Sequence, residues 1–390
     1  MKYFIIILVS FVFTACGGGS SLDNNNSAVD SNVSTVTVPE NNTSLDNNST
    51  DNNITQTVND INNSITDYNN TQIIDESNTT DIVSESIDIQ VMFSKTSGAY
   101  YDGGVDNNIT NDINNAKDTI YMAMYDLTNS MITDALIDAK NRGVLVRVTT
   151  DDDTIDLDYE KYQDLIDANI SVTDDDNPYA LMHNKFLVID NKIVWSGSGN
   201  YTVYSFYRNY ENYVRIENED IANSYINEFK LLDSRDDTTY IGYTFENLDI
   251  FFSPDSDFEK EIIKRINNAK EYVHFLAFSF TNQDIADALI DAKNRGVDVK
   301  GVFDEGQNDY QTYSKYDYLK DNDVDVRIDG NSYKLHSKVI IIDDNLTITG
   351  SYNFTKQANN ENNENSLVIQ NINIAQKYNE NFNTIYNEAE

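Results

Sequence analysis

Two copies of one spaced constellation stand in this chain. The first reads His183-x-Lys185-x4-Asp190-x6-Gly197-Ser198-x-Asn200, and the second His336-x-Lys338-x4-Asp343-x6-Gly350-Ser351-x-Asn353. Each paired position differs by 153 residues. The chain has only 3 histidines, and two of them head these motifs. Two imidazoles, two ammonium groups and two Ser/Asn pairs are what in-line attack on a phosphodiester requires. One His can serve as nucleophile and the other as general acid. Lys185, Lys338, Ser198, Asn200, Ser351 and Asn353 would hold the phosphate oxygens as charge builds on them.

The elements that must position these groups are themselves duplicated. Ala135 to Val144 is identical to Ala288 to Val297, and Ile113 to Lys117 matches Ile266 to Lys270. The copies align without a net gap from Ile113/Ile266 to Phe229/Phe382, a unit too long for a solenoid repeat. Apolar, aromatic-rich runs at Ile120 to Tyr125 and Tyr272 to Phe278 predict strands. Ile132, Ala135, Leu136 and Ala139 share one helical face, as do Ile285, Ala288, Leu289 and Ala292, with Gly143 and Gly296 as stops. Strands resume at Val144 to Val148 and Val297 to Phe303. This β-α-β order predicts an α/β sheet with helices on its faces. Each motif predicts a β-hairpin, turning at Asn191-Lys192 and at Asp344-Asn345. Residues i and i+2 of a strand share a face, so His183 and Lys185 point the same way. Neither half holds two motif histidines, so the halves must meet face to face to build one site.

At these residues the chain resembles the phospholipase D superfamily, over roughly Ile87 to Glu390. Both motifs are complete, and two full copies at equal spacing are a specific signal. The resemblance extends to an acidic residue downstream of each motif, Glu211-Asn212 and Glu364-Asn365. Gly350 to Thr355 followed by Asn363-Glu364-Asn365 looks like the small nuclease and cardiolipin-hydrolase branch. The family implies two α/β/α sandwich halves related by a pseudo-two-fold axis, with ping-pong chemistry through a phosphohistidine. By analogy His183 is the nucleophile and His336 the acid, with Lys185 and Lys338 supplying the positive charge. Glu211 and Glu364 would orient the rings through their other nitrogens. Asp190 and Asp343 would stabilise the hairpins. No cofactor and no metal is expected.

The chain opens as a targeting segment. Lys2 precedes an apolar stretch from Tyr3 to Phe13, and Phe13-Thr14-Ala15-Cys16 resembles a bacterial lipobox. Cys16 is the single cysteine, so an intramolecular disulfide is excluded and lipidation is its expected fate. The reading is therefore residues 1–15 as signal peptide, 16–86 as an Asn/Ser/Thr/Asp-rich disordered tether, 87–235 as the first phospholipase D-like domain and 236–390 as the second. A recurrent Asp/Glu-x-Asn-x-Ser/Thr pattern, centred on Asn25, Asn32, Asn42, Asn48, Asn53, Asn62, Asn69 and Asn78, resembles a bacterial N-glycosylation acceptor. Growth of a low-complexity tract would produce it equally. Net charge is −38. The tether holds eleven acidic and no basic residues, leaving residues 87–390 at −28. That acid excess disfavours nucleic acid as partner.

The remaining polar residues have structural readings. His274 aligns with Tyr121 and reads as a strand histidine. Asp151-Asp152-Asp153 and Asp304-Glu305 end predicted strands without a nearby His or Cys, and read as solvated loop carboxylates rather than a metal site. The aromatic runs Tyr201 to Tyr213 and Tyr310 to Tyr318 serve either a lipid-facing mouth or loop packing. The function expected is a monomeric, lipid-anchored phosphodiesterase of the bacterial cell envelope, hydrolysing phospholipid head-group bonds at a membrane. The alternatives are an envelope-anchored nuclease and a non-catalytic binding module.

Overall fold

The computed structural model describes residues 87–235, 238, 242–310 and 313–390. The signal segment, the lipobox Cys16 and the tether with its Asn-x-Ser/Thr pattern lie outside the described residues. Residues 83–390 cluster as one unit.

The first half runs β1 (Asp88–Phe93), α1 (Val105–Asn115), β2 (Thr119–Met124), α2 (Ser130–Arg142), β3 (Leu145–Thr150), α3 (Tyr162–Asp167), β4 (Ser171–Asp174), β5 (Lys185–Ile189), β6 (Ile193–Gly197), α4 (Val203–Tyr207), β7 (Asn212–Glu217) and α5 (Glu219–Ser234). The second half runs β8 (Tyr243–Phe245), β9 (Leu248–Ser253), α6 (Phe258–Asn268), β10 (Tyr272–Ala277), α7 (Gln283–Asn294), β11 (Asp298–Phe303), α8 (Glu305–Tyr310), α9 (Tyr316–Asp321), β12 (Asp325–Ile328), β13 (Lys338–Ile342), β14 (Leu346–Gly350), α10 (Lys356–Asn360), β15 (Glu364–Gln370) and α11 (Ile372–Glu388). Each half folds into one mixed sheet, ordered β1-β7-β6-β5-β2-β3-β4 and β8-β9-β15-β14-β13-β10-β11-β12. β2, β3 and β4 are parallel, and β5 lies antiparallel to β2. The C-terminal ends of β2 and β3 therefore share an edge with Lys185 at the start of β5.

Local chemistry explains the element ends. The chain's abundant asparagine caps its helices. Asn129 and Asn218 accept from the backbone N–H groups of Ile132 and Ile221, and Asn282 and Asn371 from those of Ile285 and Ile374. Gly143 closes α2 at φ 97, a left-handed conformation that other residues adopt only under strain. Asp190 and Asp343 sit in the hairpin turns at φ 51 and 50. Their carboxylates accept the N–H groups of Lys117, Asp118 and Thr119, and of Lys270, Glu271 and Tyr272. Each aspartate thus ties its hairpin to the start of the neighbouring parallel strand.

Apolar side chains form three cores. α1 and α2 cover the outer face of the first sheet, and α6 and α7 the outer face of the second. The inner faces share a third core with α5 and α11, built from residues such as Phe186, Tyr225, Phe229, Ile341, Tyr378 and Phe382. This shared core joins the halves. The two copies are not gapless throughout. α3 and β4 map onto α9 and β12 with an offset of 154, while β5 and β13 return to 153. One residue is gained after β11 and one is lost before β13.

Candidate active site

The histidines stand where the two sheets touch. His183 lies two residues before the start of β5, and His336 holds the same place before β13. Two short bridges link the halves here, Met182 with Asn363 and Tyr210 with Leu335. The His183 N–H donates to the Asn363 carbonyl at 2.9 Å, and the His336 N–H to the Tyr210 carbonyl at 3.0 Å. The offset of 153 converts each bridge into the other. That reciprocity is what a pseudo-two-fold interface requires.

Those bridges carry each glutamate to the histidine of the opposite half. His183 Nδ1 is 2.8 Å from Glu364 Oε2, and His336 Nδ1 is 2.9 Å from Glu211 Oε1. The next residues cross as well. Asn365 accepts the Lys185 N–H at 2.9 Å and donates to Ser196 at 2.7 Å, while Asn212 accepts from Thr349 at 2.6 Å. A site residue in either half is therefore held by the other.

Electrostatics follows from burial. Both imidazoles are shut away from bulk water, with only 7% of their surface exposed. Burial holds His183 down at about 4 despite the upward pull of Glu364, and His336 lies well below its ordinary value, with Lys338 and Lys334 adding to the depression. A neutral His183 bonded through Nδ1 to the Glu364 carboxylate carries its proton there and leaves its Nε2 lone pair free. Burial also lowers Lys185 to about 8 and Lys338 to about 7, and raises Glu211 to about 7. A bound phosphodiester anion would reverse the fall in both lysines. Their ammonium groups lean on the His183 and His336 carbonyls and over the rings of Tyr125 and Phe278, at 5.3 and 4.8 Å.

The expected phosphate-binding set divides. Ser198 Oγ donates to Glu211 at 2.7 Å and accepts both the backbone and side-chain N–H of Asn212. Ser351 Oγ donates to Glu364 at 2.5 Å and accepts the Asn365 N–H. Each hydroxyl proton is spent on the glutamate. Ser198 and Ser351, expected to bind phosphate, hold the two carboxylates here. Asn200 gives one amide proton to Asp126 at 2.9 Å and retains another, while the Oδ1 atoms of Asn200 and Asn353 have no protein partner.

Asp151 and Asp304 are a second correction. They are fully buried rather than solvated. Asp151 accepts the Met182 N–H at 2.8 Å, and Asp304 the Leu335 N–H at 2.9 Å. Each fixes the residue just before a histidine, a role marked in the sequence only by the end of a parallel strand. The carboxylates of Asp151, Asp152 and Asp175 come within 4.8 Å of one another, the tightest such grouping among the described residues. Both oxygens of Asp151 already take backbone N–H groups, from Met182 and Asp153. His274 lies outside the site, stacked between Tyr272 and Phe382 and bonded to Asn379 at 2.9 Å. In the aromatic runs, Tyr201, Phe206, Tyr207 and Tyr213 pack into the outer core, whereas Tyr204 and Tyr313 are exposed. Asp126 was not singled out in the sequence. Its only signal is that Ser279 stands at the matching position.

The family description "cardiolipin synthase, PLD-like domain" matches the chain twice, at residues 109–232 and 262–386. A phospholipase D of Rickettsia prowazekii is 30% identical over 201 residues, covering 51% of this chain and 92% of the relative. A mitochondrial cardiolipin hydrolase of Chlamydomonas reinhardtii is 31% identical over 121 residues, 31% of this chain and 54% of the relative. The phosphatidylserine synthase of Haemophilus influenzae superimposes with a TM-score of 0.58 at 16% identity, over 77% of this chain and 87% of that one, a likeness of fold alone. With two matched domains covering well over half its length, this chain belongs to the phospholipase D superfamily of phosphodiesterases.

Proposed function

We propose that the protein hydrolyses phospholipid head-group phosphodiesters, releasing phosphatidic acid through a phosphohistidine. The observation that supports this most is the crossed pair of His–Glu contacts, which puts two neutral imidazoles and two lysines into one enclosed site. His183 Nε2 attacks phosphorus, and the bond to the head-group oxygen breaks. The His336–Glu211 pair donates the proton that the departing alkoxide takes. Glu211 is raised to about 7, so this pair retains an exchangeable proton near neutrality and titrates as a unit. Water then attacks the phosphohistidine and returns a proton to the same pair as the P–N bond breaks. Lys185, Lys338, Asn200 and Asn353 neutralise the phosphoryl oxygens throughout.

Two features favour lipid over nucleic acid. Relatives named phospholipase D and cardiolipin hydrolase are among those the chain matches. Residues 87–390 carry −28, which repels a polyanion at low salt. Cys16, as a lipidated N-terminus, would keep the enzyme at the bacterial envelope.

The test is to incubate the full-length protein in parallel with mixed phospholipid vesicles and with single- and double-stranded nucleic acids. Phosphatidic acid should form, and nucleic acid should survive low salt. Strong DNA cleavage at low salt with no phosphatidic acid would establish the nuclease instead. Cys16→Ser should move the protein from the membrane to the soluble fraction. Retention of that variant on salt-washed membranes would disprove the anchor.

A further inference from the structure

A cavity of about 300 Å³ opens where the end of β4, the helix α5, the end of β9 and Asn363 meet. The histidines and lysines of the paired-histidine cleft do not line it, and its size suits a small organic ligand. Its polar groups are mostly acidic. Glu228 lines it from α5 with only 5% of its surface exposed, and Asp255 lines it just after β9. Desolvation and Asp255 together raise the Glu228 carboxyl. Asp175, just after β4, lines the cavity too but adds nothing to that shift, so it forms a separate acidic pole. Leu231 and Leu232 add an apolar stretch.

The fold does not demand the buried carboxylate. Asn381 stands on α11 where α5 carries Glu228. Arg235 at the rim spends its guanidinium elsewhere, on Asp174 at 2.5 Å and Asp176 at 3.2 Å. Ser253 also lines the cavity. It is 3% exposed, and its Oγ has no partner among the described residues. A buried hydroxyl left unpaired is an exception that a ligand donor would remove. A metal ion does not fit these groups. Among the described residues only Asp151, Asp152 and Asp175 bring carboxylate oxygens within 4.8 Å of one another, and Glu228 and Asp255 do not join them. Two separate acidic poles beside an apolar stretch match a short methylene chain with an ammonium at each end, which brings donors and charge to both.

We propose that this cavity binds an aliphatic diamine, one ammonium held by Glu228, Asp255 and Ser253, the other by Asp175, with the methylenes against Leu231 and Leu232. The site is independent of which phosphodiester the cleft takes. It adjoins both supports of His183. Asn363 accepts the His183 N–H at 2.9 Å. Asp175 accepts the Asp152 N–H at 3.0 Å, next to the Asp151 carboxylate that holds Met182. A bound diamine therefore acts on His183 from outside the cleft.

Calorimetry on the full-length protein tests the site, at about pH 8, where the Glu228 carboxyl ionises, and about 0.15 M salt, which screens loose counterions. The probes are putrescine, butylamine and Mg²⁺. Putrescine should bind at one saturable site about tenfold more tightly than butylamine, the weight of one charge-assisted contact. Glu228→Gln and Asp175→Asn keep the shape, and each should bring the two amines to within about twofold. Asp323→Asn removes a carboxylate whose side chain is 92% exposed, and should leave the preference unchanged. Putrescine should also shift the ¹⁵N imidazole signals of His183 and spare those of His274. Equal affinities for the two amines in wild type, or a preference kept in both cavity variants, overturn the proposal. Displacement of putrescine by Mg²⁺ at equal concentration, or an equal loss in Asp323→Asn, reduces the binding to counterion exchange and overturns it as well. Binding that leaves the His183 signals unmoved overturns the link to the cleft.

Discussion

Glu364→Gln tests the crossed geometry directly. Glu364 accepts from three donors: His183 Nδ1 at 2.8 Å, Ser351 Oγ at 2.5 Å and Asn362 Nδ2 at 3.3 Å. A glutamine offers one acceptor oxygen and one NH2 in the same space. His183 and Ser351 share Oε2, so where the glutamine oxygen turns instead to Asn362 Nδ2, the NH2 faces His183 Nδ1, which must then become the acceptor. The ring proton moves to Nε2, and the lone pair that would attack phosphorus is lost. Losing a charge-assisted hydrogen bond alone costs about 1.5–3 kcal/mol, or roughly 10- to 150-fold in rate. A forced tautomer raises the loss toward about 10⁴-fold in kcat. The expected result is a fall of about 10²- to 10⁴-fold in kcat with KM little changed, because the lysines and asparagines still hold the substrate. The 3 histidines make ¹⁵N imidazole spectra simple to assign. Glu364→Gln should shift the His183 signals and spare His336, and Glu211→Gln should do the opposite. A tautomer change in the histidine of the same half, or a loss of less than tenfold, would refute the crossed assignment.

Further outcomes are expected. His183→Ala and His336→Ala should each leave less than a tenth of wild-type turnover, and greater residual activity in either would contradict a paired-histidine mechanism. Glu228 is buried on α5, where desolvation and Asp255 raise its carboxyl to about 8. The folded protein binds this proton more tightly than the unfolded chain, so the site costs stability as pH rises from about 4.5 to 8. Glu228→Gln should therefore raise Tm at pH 9 and change it little at pH 4; a shift of equal size at both would refute the titration. Prolonged EDTA treatment should leave turnover intact if the lysines provide the charge stabilisation, and a reversible loss restored by Zn²⁺ or Mg²⁺ would require a metal.

The residues of the site and the units that carry them were legible from the chain alone. Spacing within a hairpin is local, so His183 and Lys185, or Gly197 and Asn200, declare their relation over a few residues. The β-α-β order rests equally on short-range periodicity, and the duplication with its offset of 153 shows that two such units exist. The partners of the buried charges were decided elsewhere. The His183–Glu364 contact joins residues 181 apart, and the His336–Glu211 contact residues 125 apart. Those pairings arise from strand bridges across the interface, which no local pattern encodes. The serines illustrate the same limit. Their place in the motif suggested phosphate, but burial leaves a hydroxyl to serve the nearest unsatisfied carboxylate. Asp151 and Asp304 look like loop carboxylates in sequence and are closed off by the packing that holds each histidine in place. Side-chain type and spacing define which chemistry is available. The meeting of two sheets determines which carboxylate faces which ring, because buried charge is governed by neighbours in space rather than along the chain.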